Sequence, residues 1–390
     1  MRKICVITGY RSDYTKLKSV LKSVQDKSTL ELQLVVFAAH LLSTHGNSVN
    51  DIENDGYKIS YRCNTNITGD EPLVMSKSVG IAIVELSVAI AHLNPDVVLI
   101  VGDRYEILAA AIAASVGNIP VAHIQGGEIS GTVDETIRHT ITKLAHIHFP
   151  STALSAKRIA SMGEDPQRVF NVGCPAIDHI KGLSYCERLD LTQLDELKSC
   201  KLDLKNPYIL LLQHPVTTEY QESGKQITET LEALEAVGVQ TLLIYPNPDA
   251  GSAEMLRAIR KHKRSYGKKT VIRAVFKNLS FETYLNLLKN CSCLVGNSSS
   301  GIREAHMFGV PVVNIGSRQS GRERTSNITD VSPTRQTIIE KMQEALARPE
   351  NYNIKEESIY GDGKAGQRIA DILENINLEL IIQKKLRNST

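Results

Sequence analysis

The chain has 390 residues, with 45 Lys+Arg against 43 Asp+Glu and a formal net charge of +2. That balance shows neither the basic excess that nucleic acid attracts nor the basic cluster that a membrane surface needs, so neither partner is expected. Apolar residues make up 42% and charged residues 23%, with 25 Gly and 13 Pro, an ordinary globular mixture long enough for two domains.

Seven cysteines (Cys5, Cys63, Cys174, Cys186, Cys200, Cys291 and Cys293) are odd in number and include no C-x-x-C pair. A disulfide scaffold or zinc knuckle is therefore not expected, and the thiols read as buried and reduced. The N-terminus has only the short apolar run Ile4 to Thr8, too short for a signal-peptide core, and no stretch reads as the roughly 18 apolar residues of a membrane span. A soluble cytoplasmic protein is expected.

Short β-branched runs recur along the chain at 3–9, 31–39, 95–102, 119–124, 207–214, 241–246, 293–297 and 310–316. Runs of this length and composition predict strands buried on both faces. Helical spacing fills Tyr14–Val24, Val74–Leu93, Arg104–Val116, Asp134–Ala145, Ile227–Val237, Ala253–His262 and Phe281–Lys289. Strand–helix alternation predicts an α/β fold with parallel sheets. The pattern occurs twice, separated by the polar segment 183–207. Two Rossmann-like domains are expected, 1–182 and 183–364, with a final helix over Ala365–Lys385.

In open α/β sheets ligands bind outside the carboxyl ends of the strands, so function is sought in the residues that follow each strand. Gly9, Tyr10, Arg11, Ser12 and Asp13 follow the first; the Arg could meet a phosphate, or simply stand beside a cap. No G-x-G-x-x-G is present, so the standard dinucleotide fingerprint is absent. Gly102, Asp103 and Arg104 follow the third run, offering a carboxylate beside an Arg.

The densest polar loop is 123–146, with His123, Gln125, Glu128, Asp134, Glu135, Arg138 and His139 around Gly126, Gly127 and Gly131. Thr132 and Glu135 fit a capping box, and Asp134 and Arg138 are spaced to pair on one helix face. In the second half the loops are Gln213–His214, YPNPDAGS (245–252), GNSSSGIRE (296–304) and GSRQSGRER (316–324). Serine hydroxyls at a helix start with Arg318, Arg322 and Arg324 nearby suit a phosphate; a Ser cap with turn glycines is the plainer alternative.

The segments RSDYTKL, GDRYEILA, GGEISGTVDETIRHTITKLAH, QHPVTTE, PNPDAGS, GNSSSGIRE, GSRQSGRE and IYGDG resemble, in order, the hydrolysing UDP-N-acetylglucosamine 2-epimerases of sialic acid synthesis. They run from Arg11 to Gly363. The resemblance implies the glycosyltransferase-B architecture, with the C-terminal helix returning onto the first domain. It also implies a homo-oligomer, a UDP-sugar and water as partners, no metal or other cofactor, and no fused sugar-kinase half.

The implied reaction takes UDP-GlcNAc and water to N-acetylmannosamine and UDP. Departure of UDP makes the C2 hydrogen acidic, its removal gives a 2-acetamidoglucal, and hydration with protonation from the opposite face inverts C2. That needs proton-transfer groups on two faces and stabilisation of charge. By resemblance, Asp103, Asp134 and His214 are catalytic, and Arg11, Ser298, Ser299, Glu304 and Arg318 contact the nucleotide. Arg104, His40, Arg138, Asn247 and Asp249 complete the expected substrate-binding set.

One position departs from the family. The family carries a catalytic Glu in H-x-E-G-G where this chain has Gln125, which cannot exchange protons at neutral pH. Glu128 or Asp134 is expected to carry the second transfer, with Gln125 at most positioning water. Three alternatives stay open: a UDP-2,4-diacetamido-trideoxyhexose 2-epimerase for legionaminic acid, a transferase of the same architecture, and a nucleotide-sugar binder without catalysis.

Overall fold

The computed structural model describes residues 1–42, 48–65, 67, 71–185, 203–247, 249–277, 279–347, 359–379 and 381–385. The strands are β1 Arg2–Thr8, β2 Leu30–Phe37, β3 Ile59–Cys63, β4 Val97–Val101, β5 Val121–Ile124, β6 Ile147–Phe149, β7 Ile209–Leu212, β8 Thr241–Ile244, β9 Ile272–Phe276, β10 Cys293–Gly296, β11 Val312–Ile315 and β12 Ile328–Val331. The helices are α1 Arg11–Gln25, α2 Val49–Asn54, α3 Pro72–Leu93, α4 Tyr105–Val116, α5 Val133–Leu144, α6 Ala153–Ser161, α7 Pro175–Gly182, α8 Ser223–Val237, α9 Ser252–Tyr266, α10 Phe281–Asn290, α11 Ser299–Arg303, α12 Arg335–Leu346 and α13 Ala365–Asn375.

Two six-stranded sheets form, ordered β3-β2-β1-β4-β5-β6 and β12-β11-β10-β7-β8-β9. Every pairing is parallel. Each sheet has the doubly wound order, so strand direction of growth reverses between β1 and β4 and again between β7 and β10. The central strands are apolar because helices cover both faces: β4 is buried throughout, and separate cores lie on either side of each sheet.

The eight expected strands form the interior of the two sheets; β3, β6, β9 and β12 were not foreseen. All four are edge strands, either carrying exposed or half-buried polar residues such as Arg62, Arg273 and Asp330 or, in β6, only three residues long. The expected joining segment falls in large part, at 186–202, outside the described residues.

The chain passes between the halves twice. The helix α7 buries Ala176, Ile177 and Ile180 in the core of the second sheet. After the loop at 360–364, α13 seats Ile369, Ala370 and Leu373 in the core beneath the first. The final helix is shorter than expected: α13 ends at Asn375, and Ile376 turns to extended backbone. The tail beyond it remains anchored, because Lys384 Nζ donates to the carbonyls of Lys143 and Ala145 and pairs with the buried Glu164.

One further expectation fails. By length and composition α3 is a helix long and apolar enough to cross a membrane. Its inner side places Ala82, Leu86, Ala89 and Ile90 in the core shared with α4, while Ile81, Val84 and Val88 remain exposed.

Candidate active site

Between the two sheets lies a cleft of about 500 Å³, within the range of small-molecule sites. Its walls are the loops at the two switch points: Tyr10–Asp13 after β1, Asp103 and Arg104 after β4, His214 after β7, and Ser298–Ser300 after β10. The fold thus gathers residues nearly 300 positions apart because all of them follow the carboxyl ends of central strands.

The first half contributes carboxylates. Asp103 and Asp134 both line the cleft. Asp103 is ion-paired with Arg138 and lies 3.5 Å from Arg322 Nη2 of the second half. Arg138 therefore does not pair with Asp134 as its spacing suggested. It is 1% exposed, stands behind Asp103 outside the cleft wall, and donates to the Glu128 carbonyl at 2.8 Å. The capping box is likewise altered: Thr132 Oγ1 accepts from Asp134 N, while Glu135 reaches past it to Ser130 N at 2.6 Å.

The second half contributes cations and donors. Arg318 lines the cleft and donates to the Asn297 carbonyl at 3.2 Å. Arg11 reaches across from the first half to the Leu279 carbonyl. Ser298 caps α11 by accepting from Ser300 N, and Ser299 and Glu304 line the wall beside it. Glu304 is buried, burial raises its pKa, and its Oε2 has no hydrogen-bond partner among the described atoms. An orphaned acceptor of that kind suits the hydroxyl groups of a ligand.

His214 is held by its backbone. Its N–H donates to Asn297 Oδ1 at 2.7 Å, and Asn297 Nδ2 returns a bond to the His214 carbonyl at 2.9 Å. The ring accepts from Asn247 N at Nδ1, 3.0 Å, which leaves Nε2 as the N–H donor. Burial lowers its pKa to about 3, so the ring is neutral at neutral pH.

Five expected site residues stand outside the cleft wall. His40 is fully buried, with Nε2 3.0 Å from Thr8 Oγ1 and Nδ1 2.7 Å from Ser48 Oγ, so both ring nitrogens are occupied beneath the floor. Asp249 is buried and bound by Arg104 at 2.7 Å, and that guanidinium also stacks 3.7 Å over the Tyr10 ring. Arg138 lies behind Asp103, as above. Gln125 is buried, has positive φ, and donates to Cys174 Sγ at 3.2 Å. Glu128 is 5% exposed and ion-paired with Arg303, with Arg322 Nη1 at 3.4 Å. Burial alone would raise its pKa, but those two guanidiniums hold it below the usual range.

Lys16 on α1, Lys277 and Arg303 line the cleft and were not foreseen; Asp13, among the residues named after the first strand, lines it too. Burial lowers Lys16 to about 8 and raises Asp13 to about 6. The R-x-x-x-x-K spacing of Arg11 and Lys16 at a helix start was the available signal. Among the described residues no group of three or more His, Cys, Asp or Glu is arranged to hold a metal ion.

A protein-family model described as UDP-N-acetylglucosamine 2-epimerase matches residues 22–374. The chain is 37% identical over 385 residues to a UDP-N,N'-diacetylbacillosamine 2-epimerase (hydrolyzing) of Legionella pneumophila, covering 99% of each chain. It is 33% identical over 391 residues to a GDP/UDP-N,N'-diacetylbacillosamine 2-epimerase (hydrolyzing) of Campylobacter jejuni, 98% of each. A UDP-N-acetylglucosamine 2-epimerase of Neisseria meningitidis is 35% identical over 348 residues, 89% of this chain and 88% of the relative.

The fold matches an S. aureus MnaA–UDP co-structure with a TM-score of 0.78 at 23% identity, over 99% of this chain and 100% of that one. It also matches Methanocaldococcus jannaschii UDP-GlcNAc 2-epimerase in complex with UDP-GlcNAc and UDP, TM-score 0.78 at 20% identity, over 95% and 99%. The architecture is of glycosyltransferase-B type, two parallel six-stranded sheets with flanking helices. The chain belongs to the UDP-N-acetylglucosamine 2-epimerase family.

Proposed function

We propose that the chain is a hydrolysing UDP-sugar 2-epimerase that releases UDP from a 2-acetamido sugar and inverts C2. The observation that carries this is one cleft lined together by Asp103 and Asp134 from the first half and by Arg318, His214 and the Ser298–Ser299 turn of the second. On this reading Arg318, Arg11 and the neutral Nε2–H of His214 take the diphosphate, and Glu304 takes the ribose hydroxyls. Asp103 and Asp134 exchange protons at C2, one on each face of the sugar. Charge developing as UDP departs is met by groups already fixed in place, which is the economical form of electrostatic catalysis.

The substrate is a UDP-linked diacetamido sugar of the diacetylbacillosamine type. Relatives named for that activity match nearly the whole chain at 37% and 33% identity. UDP-GlcNAc, with N-acetylmannosamine as product, is the second reading, favoured by the Neisseria relative. Purified protein is incubated with each nucleotide sugar in turn and released UDP is followed. Release at least tenfold faster from the diacetamido sugar supports the first reading, and the reverse order selects the second. The protein acts in the cytoplasm, where nucleotide sugars are found, and as a homo-oligomer joined through the exposed apolar side of α3.

A further inference from the structure

Arg303, Arg318 and Arg322 of the second half all line the cleft, but their donors are used differently. Arg318 Nη1 donates to the Asn297 carbonyl at 3.2 Å, and Asn297 also holds His214. Arg303 is ion-paired with Glu128. Arg322 makes looser contacts, with Nη1 3.4 Å from Glu128 and Nη2 3.5 Å from Asp103. Its side chain is only 7% exposed, yet Nε and Nη1 have no hydrogen-bond partner among the described atoms. Buried guanidinium N–H groups normally find acceptors, and one left without them at a cleft wall is a place for a ligand oxygen.

The turn that carries Arg322 is fixed. Gly321 has φ of 75°, Arg322 N donates to the Gln319 carbonyl at 3.4 Å, and a Cβ at Gly321 would meet Ile129 at 2.8 Å. One short loop thus sends Arg318 toward the Asn297–Ser299 turn and Arg322 toward Asp103. On the epimerase reading the first is the diphosphate side, and the second is C2, which carries an acetamido group. Charge points the same way. Around the Arg322 guanidinium, Asp103, Glu128 and Asp134 offset Arg138, Arg303 and Arg322 itself. That leaves little net charge to draw a diphosphate, while N–H donors remain for a neutral carbonyl oxygen.

We propose that Arg322 is a specificity-determining residue that donates to the carbonyl oxygen of the C2 acetamido group. The inference deepens the epimerase reading and rests on it for the placement of the sugar. Both candidate sugars carry that group, so Arg322 recognises what they share and not the second acetamido group at C4. A sugar with a hydroxyl at C2, as in UDP-glucose, offers no carbonyl there and leaves the guanidinium unpaired, which is the costly kind of mismatch.

The probes are UDP-GlcNAc, the UDP-diacetamido sugar, and UDP-GlcNAc with a thioacetyl group at C2, a weaker acceptor of nearly the same shape. Arg322→Met leaves Glu128 with Arg303 and Asp103 with Arg138, and is compared with the unaltered protein. UDP release gives kcat/KM, and calorimetry gives the affinity for UDP alone. For a sugar that is not turned over, calorimetry with the intact nucleotide sugar replaces kcat/KM. Arg322→Met should lose at least about tenfold with both acetamido sugars alike, the worth of a hydrogen bond from a charged donor, and change UDP affinity by less than about twofold. The thioacetyl sugar should be at least about fivefold worse than UDP-GlcNAc in the unaltered protein and within about twofold of it in Arg322→Met. A fall in UDP affinity would make Arg322 a phosphate ligand and overturn the proposal. So would a defect with the diacetamido sugar and none with UDP-GlcNAc. A thioacetyl penalty that survives the substitution is the mark of a merely structural role through Asp103 and overturns it too. If Arg322→Met does not fold, Arg322→Gln is held to the same outcomes. If the unaltered protein turns over neither sugar, the epimerase reading fails, while binding of intact UDP-GlcNAc against its thioacetyl analogue in both proteins still decides the contact.

Discussion

Asp103 lies between two guanidiniums, Arg138 behind it and Arg322 across the seam, so it is held in place as a carboxylate on the cleft wall. Replacing it with Asn keeps the shape and removes the proton acceptor. Asp103→Asn should lower kcat for UDP release by at least about 100-fold, the usual worth of a positioned acid–base group, with a smaller change in KM. His214 is already neutral, because burial places its pKa at about 3. His214→Gln should therefore weaken UDP binding, measured by titration calorimetry, without moving either limb of the pH–rate profile. Asp103 and His214 were legible as cleft residues because each follows a strand at a switch point, and Asp134 because it lies in the polar loop after β5. The partner of Arg138 was not, since helical spacing offered Asp134 and the fold supplied Asp103. Arg303 was unreadable as a partner of Glu128, because nothing in the sequence signals a contact 175 residues away.

At the scale of elements, long apolar runs disclosed the strands that helices cover on both faces, and the edges escaped. β9 alternates buried and exposed, and β12 buries only Val331, so neither makes a continuous apolar run. The end of α13 was overrun because apolar residues after Asn375 still enter the first core outside the helix, Ile376 on extended backbone and Ile381 buried. Its start is fixed from another helix: Asp178 of α7 accepts from Ala365 N and Gly366 N, at 3.0 and 2.6 Å. Asp178→Ala should cost about 1 kcal/mol, as loss of an N-cap does. Thermal unfolding should fall by about 2–4 °C. On α3, Val84 is 63% exposed and Val88 53%. A double change of both to Glu should leave the fold intact by circular dichroism and reduce the mass in light scattering to one chain. An unchanged mass would remove α3 from the assembly.

In the whole molecule, the near balance of charge conceals a cleft in which both halves bring carboxylates and cations together, Asp103, Asp134, Arg11 and Lys16 from the first and Glu304 and Arg318 from the second. The buried histidines set its response to acid. Burial lowers His40 and His214 to about 3, and His123 and His146 to about 4. The unfolded chain takes up those protons near pH 6.5, so stability present above that pH is lost as pH falls toward 4. The loss is about 1.4 kcal/mol per pH unit for each such group. The midpoint of thermal unfolding should drop steeply between pH 6.5 and 5 and change little between 7 and 8. The central claim is proton exchange at C2, and it is tested by turnover in heavy water. Incubation with the UDP-diacetamido sugar, and separately with UDP-GlcNAc, should give free UDP and a 2-epimerised sugar carrying one deuteron at C2 by NMR. Release of UDP with C2 still bearing its original hydrogen, or no reaction with either sugar, would contradict it.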